Sequence, residues 1–146
     1  MRNEAMTALD VLAGQWRTTM SDAWFIEDDP EVPGWASGEW LHDACLVFRW
    51  QMEGEVGDAS TDMVLVLGRS DAQDAFTALY HDERGVCRVF AMTFDGARWT
   101  LEGEDPDMFQ RFVGDITADR IAGRWEASED QGTTWRKDFD LVFERV

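Results

Sequence analysis

The sequence predicts an all-β fold: a closed antiparallel up-and-down barrel of about ten strands, preceded by a short helix. Three observations carry this. From Gly14 to the end, segments of six to ten residues rich in Val, Phe, Trp and Thr follow one another, each bounded by turn residues. Several of those turns are short, so consecutive segments join as hairpins. Ten meandering strands in 146 residues would leave two bare edges unless the sheet closes on itself.

The helix comes first. Met6, Leu9, Val11 and Leu12 form a short apolar stripe, Thr7 is a candidate cap and Gly14 a terminator. Strands are expected over 14–25, 36–43, 45–53, 61–69, 74–82, 86–94, 97–103, 107–116, 119–128 and 133–145. The acidic stretch 27–34, with Pro30 and Pro33, is the one sizeable early loop and is placed over a barrel mouth. Asp82, Glu83, Arg84 and Gly85 suit a three-residue hairpin loop with glycine at its left-handed position. Asp95-Gly96 is a tight hairpin between Phe94 and Arg98, and 104–107 and 117–119 are further reversals.

Composition bounds the rest. The chain reads as one domain, 1–146, and eight Trp and nine Phe give it material for a core. Thirteen basic against thirty acidic residues give a net charge of −17, which argues against nucleic acid or an anionic membrane surface as a partner. No leader-like segment opens the chain and no apolar run is long enough for a spanning helix, so a cytoplasmic location is expected. A homodimer is left open. Cys45 and Cys87 fall in apolar runs and read as small buried hydrophobes rather than a bridge. Together with His42 and His81 they lack metal-ligand spacing, so no metal is expected.

Alternation assigns the interior. In the last strand Trp135, Lys137, Phe139, Leu141 and Phe143 share one parity, against Arg136, Asp138, Asp140 and Glu144. A three-residue loop after Asp82 sets Tyr80 opposite Arg88, Ala78 opposite Phe90 and Phe76 opposite Met92. The third strand contributes Leu46, Phe48, Trp50 and Met52. A barrel of more than about eight strands is too wide for side chains to fill easily, so a cavity is expected. Its predicted lining is Trp50, Tyr80, Arg88, Phe90, Met92, Trp135, Lys137 and Phe139. Arg88 and Lys137 lie among aromatics, and a buried cation needs an acid, a ligand or water. Such a cavity suits a small, largely apolar ligand, with an anionic head group at the cations. The run 63–67 is apolar on both parities, which asks for a cover; the N-terminal helix serves either as that cover or as a plug at one barrel end.

Ser128, Asp130, Gly132, Thr134 and Trp135 fit the pattern S-x-D-x-G-x-T-W, similar to the Asp-box hairpin of sialidases, where it is a fold device rather than a catalytic group. Leu12-Ala13-Gly14-Gln15-Trp16, Tyr80-His81-Asp82-Glu83-Arg84-Gly85 and the block from Phe109 through Trp125 and Trp135 to Arg145 resemble a family of uncharacterised bacterial lipocalin-like proteins. That resemblance implies a calycin-type closed barrel with a central cavity and no established reaction. Nitrobindin-like haem barrels share the broad architecture, but their axial His sits on a late strand and this chain has no His after His81. No cofactor is therefore expected. An enzyme of the same fold, such as a cyclase, isomerase or hydratase, is the first alternative, with Tyr80, His81, Arg88 or Glu126 as acid–base groups. A barrel filled by its own side chains and acting as an interaction protein is the second.

Overall fold

The computed structural model describes residues 2–28, 30–54, 56 and 60–146. Its strands are β1 (Gly14–Ser21), β2 (Val32–Leu41), β3 (Cys45–Met52), β4 (Asp62–Ser70), β5 (Ala75–Asp82), β6 (Cys87–Phe94), β7 (Arg98–Asp105), β8 (Met108–Thr117), β9 (Arg120–Ser128) and β10 (Arg136–Arg145). Each pairs antiparallel with its sequence neighbours, and β1 closes the barrel against β10 with Trp16 opposite Arg145 and Met20 opposite Leu141. No helix among the described residues is long and apolar enough to cross a membrane.

The hairpin chemistry acts as its residues dictate. Gly85 has φ +84° and its amide donates to Asp82 O at 3.0 Å, which sets Tyr80 opposite Arg88, Ala78 opposite Phe90 and Phe76 opposite Met92. Asp95 Oδ1 accepts the amides of Ala97 and Arg98 at 2.9 and 2.7 Å, leaving Gly96 free to take φ +86°. At the Asp-box turn, Ser128 Oγ accepts from the Gly132 amide at 2.9 Å, and Asp130 Oδ1 accepts from the Thr134 amide at 2.8 Å.

The boundaries of the early elements differ from expectation. β1 stops at Ser21, because Asp22 adopts φ +50° and breaks the ladder. The early loop ends at Val32 rather than Gly34; Asp29 of that stretch lies outside the described residues. Pro33 is accommodated at the second position of β2, near the strand start where a missing N–H does least harm.

The helix is a 3-10 helix, Glu4–Leu12, and its cap is Asn3 rather than Thr7: Asn3 Oδ1 accepts the Ala5 amide at 2.9 Å. It plugs one end of the barrel with Met6, Leu9 and Leu12, all buried. Leu12 O accepts the Trp16 indole N–H at 3.1 Å, and the Arg145 guanidinium donates to Ala13 O at 2.8 Å and Val11 O at 2.6 Å. Gly38 of β2 admits this approach, since a Cβ there would lie 2.1 Å from Leu12 O. The helix is thus a plug and not a cover for β4, whose outward Val64 and Val66 sit beside His81 and Leu79 of β5.

Aromatic rings fill the middle of the barrel. Phe48, Trp99 and Phe112 meet edge to face, with centroids 5.5 and 5.3 Å apart. Phe112 lies over Gly123, where a Cβ would come within 2.3 Å of its Cε2, and Phe90 lies over Gly103 in the same way. The cysteines correct one expectation. Cys45 is half-buried, but Cys87 is exposed, because odd positions of β6 face outward.

Candidate functional site

The end opposite the helix is open. There the last residues of β1, β3 and β5 meet the first residues of β4, β6, β8 and β10 around a cavity of about 210 Å³. Its apolar wall is aromatic and methionine-rich: Trp50, Phe90, Trp125 and Phe139, with Met20, Met52, Met63 and Met108 around them. Unbranched, polarizable Met side chains let such a wall adapt to the shape of an occupant.

The polar groups of the cavity are few and ordered. Tyr80 donates its hydroxyl to Asp82 Oδ2 at 2.9 Å, and Arg84 closes on the same carboxylate at 2.7 Å. Burial pushes the Tyr80 phenol well above its usual range, and the Asp82 bond adds to it. Burial alone would raise Asp82, but the Arg84 and Tyr80 bonds outweigh it and hold the carboxyl below its ordinary value. Tyr80 is therefore a neutral donor already committed to Asp82, which makes it a poor general base. Beside Tyr80 on the next strand, Arg88 pairs with Asp105, Nε to Oδ2 at 3.0 Å, and donates through its NH1 nitrogen to Gln110 Oε1. Its NH2 nitrogen and Gln110 Nε2 make no hydrogen bond among the described residues.

Glu83, on the β5–β6 hairpin, ties down the chain that leads into β4. Its carboxylate accepts from the Ser60 hydroxyl, from the Thr61 amide at 2.8 Å and from the Asp62 amide at 3.1 Å. Ser60 in turn lines the cavity. Burial alone would raise the Glu83 carboxyl, but these donors outweigh it and bring it from 4.5 to about 2. A depressed carboxyl pKa gives stability that is complete above the unfolded value and is lost as pH falls through the folded one. Wild-type protein should thus lose stability between about pH 4.5 and 2. Glu83→Gln should flatten that part of a Tm-against-pH curve; an unchanged slope would mean the clasp holds nothing.

Five of the eight residues predicted to line the cavity do so: Trp50, Tyr80, Arg88, Phe90 and Phe139. Met92 faces inward and is buried, but it sits deeper, opposite Phe76 and Leu101, below the cavity floor. Trp135 is not in β10; it belongs to the Asp-box turn and lies under the Arg111 guanidinium, 3.9 Å from the ring centroid. Lys137 faces away because β10 carries a bulge: the register shifts between Lys137, opposite Glu126, and Phe139, opposite Trp125. Lys137 instead pairs with Asp22 and with Asp140. The same bulge turns Asp138 inward to the cavity. Of the alternative acid–base groups, His81 is exposed, and Glu126 is on the outer face bonded to Arg111 at 2.9 Å. Gln110, Met108, Trp125 and Asp138 were not foreseen as lining. For the first three the signal is positional, since in a closed meander the ends of odd strands and the starts of even ones ring a single mouth; Asp138 is turned in only by the bulge.

No protein-family model matches the chain, and no curated protein matches it. Among solved structures the chain is similar to one described as the crystal structure of Rv2717c from M. tuberculosis. The two superpose with a TM-score of 0.70 at 15% identity, over 100% of this chain and 99% of that one. At that identity the likeness is one of fold, extending over the whole barrel.

Proposed function

We propose that this barrel binds a small, largely apolar molecule in its open cavity, with an acceptor or anionic head group meeting Arg88 and Gln110. The observation that carries this is the cavity itself, about 210 Å³ walled by aromatic and Met side chains at the unplugged end. It favours a ligand over a barrel filled by its own side chains. Apolar contact would supply most of the affinity, at roughly 25 cal/mol per Å² before the costs of association. The bonds to Asp105 and Gln110 hold the Arg88 guanidinium in place while its NH2 nitrogen stays available. Lys137 faces outward and Arg84 closes on Asp82, so selection of an anion is assigned to Arg88. The resemblance to bacterial lipocalin-like proteins agrees with this reading, and membership of that family is part of the proposal.

The test is a titration of 2-naphthoic acid and 2-naphthylmethanol, followed by the fluorescence of Trp50 and Trp125 in the cavity wall. Arg88→Met should weaken the acid about 10- to 100-fold, the scale of a lost charge-assisted hydrogen bond, and barely affect the alcohol. The acid should also raise Tm, as any ligand of the native state must. Equal losses for both would reduce Arg88 to packing. Binding of neither would count against the cavity as a ligand site.

A further inference from the structure

Asp138 is the cavity group least explained by folding alone. The bulge in β10 costs the barrel a regular ladder and turns this carboxylate toward the interior, where its side chain is 13% exposed. Its Oδ1 accepts the Trp24 indole N–H at 2.9 Å and lies 3.7 Å from an Arg136 nitrogen. Its Oδ2 makes no hydrogen bond among the described residues. That oxygen is not sealed from water, so an N–H or O–H donor on an occupant of the cavity can reach it and take the place of solvent.

The register places this acceptor relative to the donors on the far side of β9. Arg136, two residues before Asp138, is opposite Ala127 of β9, and Ala127 is opposite Gln110 of β8. Asp138 and Gln110 thus flank β9, two inter-strand steps or roughly 10 Å apart. Between them β9 presents the small buried Ala127 and the ring of Trp125. One wall of the cavity therefore offers open donors, Arg88 and Gln110, at one side and an open acceptor, Asp138, at the other, with an aromatic floor between.

We propose that Asp138 is a specificity-determining residue, and that the ligand is an amphoteric one: an aromatic or apolar body with a carboxylate or carbonyl at one end and an N–H or O–H donor at the other. This rests on the cavity being the binding site and deepens that reading. Two simple acids of equal size then differ in affinity according to what the distal end carries. A donor there meets Asp138 Oδ2, whereas an acceptor meets the repulsion of a carboxylate.

Three rigid probes separate the cases: 2-naphthoic acid, 6-amino-2-naphthoic acid and 6-methoxy-2-naphthoic acid, titrated against wild type, Asp138→Asn and Trp24→Phe. In wild type the amino acid probe should bind about tenfold tighter than the unsubstituted acid, and the methoxy probe should be the weakest. Asp138→Asn exchanges the open acceptor for a donor, so the order of the amino and methoxy probes should invert. Trp24→Phe removes the indole donor but keeps the carboxylate, so the wild-type order should persist even if that segment loosens. Naphthoic acid binding with no preference among distal groups, or a uniform loss in Asp138→Asn, would overturn the role of Asp138 and leave the cavity reading standing. Failure of all three probes to bind wild type would overturn both.

Discussion

Phe112→Ala should lower unfolding stability by about 4 kcal/mol, the middle of the range for a buried aromatic. Phe112 is 2% exposed and its ring is 5.3 Å, centroid to centroid, from both Trp99 and Trp125. Beneath the ring are Gly114 and Gly123, which have no side chain to move into the space it leaves. The cost of a large-to-small change grows with the cavity that persists, and here little can collapse. The vacated volume would also lie behind Trp125, which walls the open cavity, so that ring gains freedom on its inner side. Urea unfolding measures the effect, with the midpoint falling while the slope is kept. A loss under about 2 kcal/mol would show that neighbouring rings close the gap.

Gly38→Ala should cost about 3 kcal/mol, in the range of overpacked sites, because its obstruction is backbone. The added methyl would lie 2.1 Å from Leu12 O and 2.9 Å from Leu12 C, neither of which can rotate away. The 3-10 helix must lift, exposing Met6, Leu9 and Leu12 and breaking the bond from the Trp16 indole to Leu12 O. Gly96→Ala is the control. Its φ of +86° makes alanine strained, by about 1 kcal/mol, yet nothing lies within 4 Å of the new methyl. Similar losses at both positions would mean that the plug yields without penalty. Faster hydrogen exchange confined to the helix in Gly38→Ala would place the damage where the geometry puts it.

Which face a strand turns inward was legible wherever a hairpin fixed its register. Gly85 alone set Tyr80 opposite Arg88, and the interior of β5 and β6 followed. Depth along the barrel axis was not legible, because alternation carries no information about level. Met92 has the right face and the wrong depth. The bulge in β10 was invisible for a different reason. Trp135, Lys137, Phe139, Leu141 and Phe143 alternate without a break, and no glycine or proline marks the place where the chain takes in an extra residue. Only closure against β9 reveals that Phe139, and not Lys137, continues the inward row. The helix cap was missed because Asn3 stands before the apolar stripe begins, three residues ahead of Met6.

The plug has a consequence for how the protein can be handled or tethered. The helix enters the barrel where β1 begins, and β10 ends beside it, with the Val146 amide donating to Gln15 O at 3.1 Å. Both ends of the described chain therefore emerge at the sealed base, as far from the mouth as the barrel allows. Anything joined to either one, such as a tag, a reporter, a second protein or a solid support, leaves the rim formed by Phe25, Arg84 and Met108 facing solution. The barrel is a cup held by its foot, so immobilisation through either terminus should leave the mouth of the cavity unobstructed.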